Sequence, residues 1–250
     1  MPVRAAAHVF VADLDAPQVS GEDHHHLART LRLRPDELVT ASDGAGRWRA
    51  CRWAGPASAG ERVAAGERVA AGERSHLLVD GPVMAAPRPD PPVTIGFALV
   101  KGARSEWVVQ KLTEVGVDRI VPLATARSVV RWDADRVTHH LERLRRVARE
   151  AAMQSRRVWL PEVAPVTPAA SLAAELALTG TGALAQAGGA PPDLARPVVL
   201  VGPEGGWDES ELGLGLPRVG LGLAVLRADT AAIAAGWVLC ALRDGVVGPA

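Results

Sequence analysis

Nine consecutive residues, Met84 to Pro92 (MAAPRPDPP), hold four prolines, and no other stretch of the 250-residue chain constrains its folding as strongly. Proline has no backbone N–H and pushes the residue before it towards extended conformations, so neither a helix nor a central strand runs through this stretch. It reads as a linker over 84–92 between an N-terminal domain over 1–83 and a larger domain over 93–250.

Upstream, short extended runs such as His8–Val11, Leu38–Ala41 and His76–Val79 predict a small β-rich domain, with Asp43-Gly44 and Gly46 supplying turn chemistry. Ala59–Arg74 is a tandem hexapeptide, AGERVA-AGERVA-AGER, too short in period for a solenoid unit. It reads as an expanded surface loop. Downstream the rhythm changes. Val93–Val100 is a compact apolar strand, and Ala103–Gly116 carries Val108, Leu112 and Val115 at helical spacing before a glycine stop. Arg119–Leu123 is a second strand, and Asp135–Ser155 is a helix with Val137, Leu141, Leu144, Ala148 and Ala151 on one stripe. A helix near Ala169–Ala177, a strand near Gly182–Ala185 and the strand Pro197–Val201 follow. Asp208 caps a short helix through Leu212, Val219–Leu226 is extended, and Asp229–Leu242 is a final helix with Asp229 or Thr230 as its N-cap. Strand and helix alternate, which predicts an α/β domain with a mainly parallel sheet.

Apolar residues make up 48% of the chain and charged residues 22%, which excludes a mainly disordered polymer. No apolar run reaches the ~18 residues of a membrane span. Met1–Val11 shows no signal-peptide pattern, and Cys51 and Cys240 make no disulfide framework, so a cytoplasmic location is expected. Of 28 Lys and Arg only Lys101 and Lys111 are lysine, a bias that a GC-rich genome explains. His24-His25-His26 would chelate poorly as a set, because consecutive side chains diverge, so no metal is expected.

Four segments can carry chemistry. In Val198–Trp207 (VVLVGPEGGW) an apolar strand enters a Gly-Pro-Glu-Gly-Gly loop, where ligands of open α/β sheets bind and where glycines let a ligand approach the main chain. It is also compatible with an ordinary strand-to-helix turn. In Leu221–Ala232, Arg227, Asp229 and Thr230 interrupt an apolar stretch; Arg227 is either a surface charge or the holder of an anion. In Lys101–Glu114, Lys111 and Glu114 share a helix face. The fourth is a distributed basic surface: Arg131–Arg157 holds eight arginines against four acids, and Arg29, Arg32 and Arg34 precede the Arg47–Trp53 run. Arginine mixed with aromatics suits phosphate contacts and base stacking.

In order, His26–Leu33 (HLARTLRL), Lys101–Val117 (KGARSEWVVQKLTEVGV), Pro122–Ser128, Arg149–Val163 (REAAMQSRRVWLPEV), Val201–Gly206 (VGPEGG) and Leu221–Ala232 resemble the RsmE-type small-subunit (16S) ribosomal RNA uridine-N3 methyltransferases of the SPOUT class. The resemblance implies a PUA-like β-barrel before the linker, which would grip RNA, and an α/β methyltransferase domain with a C-terminal trefoil knot after it. It implies S-adenosyl-L-methionine (SAM) as cofactor, S-adenosyl-L-homocysteine as product, and a homodimer acting on ribosomal RNA or the small subunit, with no membrane partner. Cofactor contacts would come from Leu200, Val201, Gly202, Pro203, Glu204, Gly205 and Gly206, and from Leu221, Gly222, Leu226, Arg227 and Thr230. RNA contacts would come from Arg29, Arg32, Arg34, Lys101, Arg104, Arg127 and Arg156. Arg227 would steady charge on the base or orient the cofactor, and Glu114 or Glu204 would help with the proton or with binding. Many relatives have Gly-Pro-Arg where this chain has Gly222-Leu223-Ala224, and Thr-Glu-Thr where it has Ala228-Asp229-Thr230. Two alternatives follow: a ribose 2′-O methyltransferase on the same scaffold, and a non-catalytic ribosome-assembly factor that binds ribosomal RNA.

Overall fold

The computed structural model describes residues 5–55, 74–100, 102–128, 132 and 134–248. The chain divides into two units, Met1–Arg88 with Met153–Trp159, and Pro89–Ala152 with Leu160–Ala250. The hexapeptide repeat lies outside the described residues up to Arg74.

The first unit runs β1 (Ala7–Phe10), β2 (Gln18–Ser20), α1 (Gly21–His25), a π-helical turn (His26–Thr30), β3 (Leu38–Ser42), β4 (Arg47–Trp53), β5 (Arg74–Val79) and β6 (Met84–Ala85). Its sheet order is β1-β3-β4-β5-β2, with β6 on β4, so pairing continues into the proline-rich stretch. β1 and β3 are parallel and the remaining pairs antiparallel. The β3–β4 hairpin closes on Asp43, whose Oδ1 accepts from the Ala45 and Arg47 amides at 2.8 and 3.1 Å. Val9, Leu27, Val39, Ala41, Cys51 and Trp53 form the buried core. Thr40 and Ser42 are buried too, because His8 Nδ1 hydrogen-bonds Thr40 Oγ1 (2.8 Å) and Ser42 Oγ donates to the Val158 carbonyl (3.1 Å). His8 Nε2 lies 3.0 Å from the Arg157 carbonyl, and a Cβ on Gly46 would overlap the Trp159 indole. These contacts assign Met153–Trp159 to this unit. His24 is buried beside Trp53, with ring centroids 5.7 Å apart, while His25 and His26 are exposed. Burial, with His25 and Arg29 nearby, lowers the His24 pKa. Burial also pushes the Cys51 thiol up to about 11, away from nucleophilic thiolate character.

The second unit runs β7 (Thr94–Ala98), α2 (Arg104–Glu114), β8 (Arg119–Ala124), α3 (Ala134–Gln154, its last two residues grouped with the first unit), β9 (Glu162–Val163), β10 (Thr167–Pro168), α4 (Ala169–Thr179), β11 (Gly182–Ala190), β12 (Val198–Val201), α5 (Glu209–Leu212), β13 (Arg218–Val219) and α6 (Ala228–Arg243). Every described pairing is parallel, in the order β10-β8-β7-β12-β11-β13 with β9 on β8. All five residues of β7 are buried, as expected for a central parallel strand covered on both faces. The order reverses at β7, flanked by β8 on one side and β12 on the other, so the ligand crevice of this topology lies at the carboxyl ends of these strands. Among the described residues no group of three or more His, Cys, Asp or Glu is placed to hold a metal ion. No described helix is long and apolar enough to cross a membrane.

Two sequence expectations need correction. Val219–Leu226 is not one extended run: the strand ends at Val219, and 220–227 is an irregular loop. The ladder stops there because the chain leaves β11 at the bulge where both Ala185 and Ala190 pair with Val219. Nor do Asp229 or Thr230 cap the last helix. Arg227 is the N-cap, extended at φ −68°, ψ 155°, and makes no side-chain capping bond. Asp229 sits within the first turn, where its Oδ1 accepts from the Thr230 amide at 2.8 Å and its charge favours the helix N-terminus.

Candidate functional site

The crevice is built from two loops. Strand β12 is buried from Val199 to Val201 and delivers the chain into Gly202-Pro203-Glu204-Gly205-Gly206. Gly206 turns back at φ +74°, its amide donating to the Pro203 carbonyl at 2.9 Å. Trp207 then tucks under the loop: a Cβ on Gly202 would lie 2.9 Å from its ring, so only glycine lets the indole pack there. The Trp207 Nε1–H donates to the Ala185 carbonyl at 3.1 Å, tying the loop to β11. Asp208 caps α5 in a reciprocal box with Glu211, as its spacing predicts. The buried Glu211 carboxylate accepts from the Asp208 amide (2.9 Å) and the Ala126 amide (3.0 Å), which anchors the segment after β8. Hydrogen bonds from the Ser210 hydroxyl and amide, aided by Arg127, hold the Asp208 carboxyl below the usual carboxylate range.

The second wall is the 220–227 loop. It starts where Gly189 and Gly220 pass each other; the Gly220 amide donates to the Ala190 carbonyl at 2.8 Å. A Cβ on Gly189 would lie 2.6 Å from the Val219 carbonyl carbon, and one on Gly220 would lie 2.7 Å from the Gly189 oxygen. Two backbones can cross this closely only where neither carries a side chain.

Between the walls lies a cavity of about 330 Å³. Val201, Gly202, Pro203, Glu204 and Gly206 line it from the first loop, and Leu221, Gly222 and Leu226 from the second. Leu200 is instead core beneath the loop. Gly205 faces Arg127, whose Cβ is 3.7 Å from the position a Cβ would take. Arg227 and Thr230 are exposed and do not line the cavity; Arg227 Nε is 4.0 Å from Asp229 Oδ1. The sequence reading missed Ala185, Gln186 and Ala187 at the end of β11, and Trp207, Leu212, Ala228 and Ala231. The available signal was a lone glutamine between an apolar strand and Gly188-Gly189, a pattern parallel to that of β12. Gln186 Oε1 is buried and has no hydrogen-bond partner among the described residues.

Glu114 is not among the residues that line this cavity. It ends α2, which starts at the crevice side and runs back to the amino edge of β8, so Glu114 sits at the opposite edge of the sheet. There its carboxylate is bound by Lys111 Nζ at 2.7 Å.

Of the basic residues singled out, Arg29, Arg32 and Arg34 are exposed on the first unit, with Arg32 held at φ +52°. Arg156 adopts φ +58° and its Nη2 donates to the Ala5 carbonyl at 2.6 Å. Arg104 lies 3.7 Å from Glu204, and Arg127 lies 3.4 Å from Asp208 and donates to the Gly205 carbonyl, so both border the first loop. Lys101 lies outside the described residues.

Comparison with known proteins supplies the family. Residues 87–239 match the family model described as an RNA methyltransferase domain. The chain is 35% identical to ribosomal RNA small subunit methyltransferase E of Mycobacterium bovis over 87% of its length and 83% of that protein's. It is 32% identical to the Synechocystis protein of the same name, over 83% of its length and 67% of that protein's. Among solved structures, a Legionella pneumophila methyltransferase in complex with SAM superposes with a TM-score of 0.74 at 25% identity, covering 96% of this chain and 98% of that one. With the matching model spanning more than half the chain and relatives this similar along most of it, the chain belongs to the ribosomal RNA small subunit methyltransferase E family of RNA methyltransferases.

Proposed function

We propose that this protein is a SAM-dependent methyltransferase that methylates N3 of a uridine in small-subunit ribosomal RNA. The cavity between the Gly-Pro-Glu-Gly-Gly loop and the 220–227 loop carries the reading, because its residues fit the cofactor. Its ~330 Å³ falls within the usual range for small-ligand pockets. Glycine backbones at Gly202, Gly206 and Gly222 allow close approach, and Gln186 offers an orphaned acceptor. The names of the relatives and the SAM complex from Legionella support the same assignment. We further assign the first unit as a PUA-like barrel and the β12–β13–α6 path as a trefoil knot. The Gly189–Gly220 crossing supports the knot, since α6 returns to pack on α2, β7 and β12 after the chain has passed outside β11. RNA contacts come from Arg29, Arg32, Arg34 and Arg156 on the first unit and from Lys101, Arg104 and Arg127 on the second. Half-exposed indoles of Trp107 on α2 and Trp237 on α6, helices packed together, support a homodimer. The protein acts in the cytoplasm.

Bound SAM supplies a methyl group on a sulfonium, so transfer to a base nitrogen is an in-line displacement that needs mainly positioning. The loop walls hold the cofactor and exclude water. Uracil N3 must lose a proton, to a side chain or to water, and Glu204, the carboxylate among the described lining residues, helps with that proton or with binding. Arg227, exposed beside Leu226 of the wall, would steady the negative charge that develops on the base oxygens. Arg227→Ala is therefore expected to lower kcat about 100-fold with unchanged SAM affinity and Tm. Normal methylation by that variant would remove Arg227 from the mechanism.

Calorimetric titration with SAM tests the cofactor site. Gly202→Val, which drives a side chain into Trp207, should weaken binding at least ~10-fold; Gly205→Ala, which meets nothing closer than 3.7 Å, should bind like wild type. A folded wild-type protein that binds no SAM, with or without RNA, would leave an RNA-binding assembly factor. A methyl group mapped to the ribose would establish 2′-O transfer instead.

A further inference from the structure

Gln186 stands just past the buried start of β11, the strand between β12 and β13, and lines the cavity. Its Oε1 is shielded from solvent yet accepts no hydrogen bond among the described residues. A buried acceptor without a donor costs free energy, and native proteins keep one where something else supplies the donor. The neighbouring backbone acceptor, the Ala185 carbonyl, already receives the Trp207 indole N–H. Around Gln186 the lining is largely apolar, with Val201, Leu221 and Leu226 among its walls.

We infer that the Gln186 carboxamide is the side chain that reads the nucleoside half of the bound cofactor, by accepting a hydrogen bond from a neutral N–H or O–H donor. The inference rests on the SAM reading of the cavity and adds a residue to it. The chemistry of the donors decides which half of the cofactor is meant. The amino-acid end carries an ammonium, which a carboxylate meets best, and Glu204 on the same lining provides one. The adenosine end carries only neutral donors: the exocyclic amine of adenine and the two ribose hydroxyls. A neutral amide in an apolar wall suits these, because it satisfies a donor without desolvating a charge.

Binding of S-adenosyl-L-homocysteine, which reports affinity without turnover, provides the test. It is compared with three analogues: one lacking the 6-amino group, one the 2′-hydroxyl and one the 3′-hydroxyl. Each is titrated into wild type, Gln186→Met, which keeps the shape without the amide, and Gln186→Asn, which withdraws the amide by one methylene. Gln186→Met is expected to bind the parent ligand about tenfold more weakly than wild type does. One analogue should lose about tenfold against the parent in wild type and nothing against it in Gln186→Met, and its identity names the donor. Gln186→Asn should fall with Gln186→Met, and covers the case in which the methionine variant does not fold. Equal analogue penalties in wild type and both variants would overturn the role of Gln186 while leaving the cofactor site standing. A folded wild type that binds none of the four ligands would overturn the site and the inference together.

Discussion

Arg243→Met is expected to lower the melting temperature of the second unit by roughly 10 °C, from a loss of about 3–5 kcal/mol. Arg243 closes α6 at the amino edge of the sheet, and its Nη1 lies 2.6 Å from Asp118 Oδ2, with side chains only 5% and 10% exposed. The same Asp118 oxygen accepts from the Val93 amide at 2.9 Å, so this carboxylate joins the start of the central sheet to the end of the last helix. A surface pair would contribute at most about 1 kcal/mol. At this burial, removing the guanidinium leaves Asp118 to bear its desolvation without the cation placed against it. Methionine fills a similar volume, so the effect isolates charge from packing. Adding Asp118→Asn should restore at least half of the lost stability, because the asparagine oxygen can still accept from Val93 while the buried charge is gone. Thermal melts of the single and double variants check both statements. A single variant within 2 °C of wild type would mean that the pair contributes no more than a surface contact.

Gly189→Val should cost about 3 kcal/mol and weaken SAM binding at least ~10-fold. The atoms opposing its Cβ are backbone: the Val219 carbonyl carbon at 2.6 Å and the Arg218 carbonyl group at 2.7 Å. A flexible side chain could swing away from such a clash; a paired strand cannot without breaking the β11–β13 ladder. The 220–227 loop hangs from this crossing, so displacement propagates into the cavity wall. Gly188→Ala serves as control. Its φ of +78° strains any side chain by about 1–3 kcal/mol, but nothing lies within 4 Å of the added Cβ, so SAM affinity should hold. Calorimetry with denaturant titration separates the two effects. Wild-type affinity in Gly189→Val would show that the crossing does not support the cavity.

The α/β character of the second unit was legible because its signals are local. The apolar stripe of α3, the glycine stop after α2 and the Asp208 capping box each follow from residues within one or two turns of each other. The first wall of the cavity was legible in part for the same reason: an apolar strand running into Gly-Pro-Glu-Gly-Gly marks a loop at a strand's carboxyl end, where a ligand loop and an ordinary turn look alike. The 220–227 segment was not. Its apolar residues read as a strand, yet whether they pair depends on β11, which bulges and ends its ladder at Val219. The N-cap of α6 escaped similarly, because Asp229 and Thr230 are good capping residues, but the path of the incoming loop put Arg227 at that position.

Glu114 and Gln186 mark the division most clearly. Helical spacing put Glu114 on one face with Lys111, and the structure pairs them at 2.7 Å, while the direction of α2 carries that pair towards the amino edge of β8. Gln186 follows the strand expected near Gly182–Ala185 and drew no reading from the sequence; the fold buries its amide oxygen against the cavity with no donor among the described residues. What the sequence by itself determined were the elements, the proline-rich break, the glycine loop and the family motifs, all set by short-range sterics, periodicity and capping. The tertiary structure alone decided the strand order, the close crossing of Gly189 and Gly220 and the membership of the cavity, because these depend on which distant backbones meet, and no local pattern encodes that meeting.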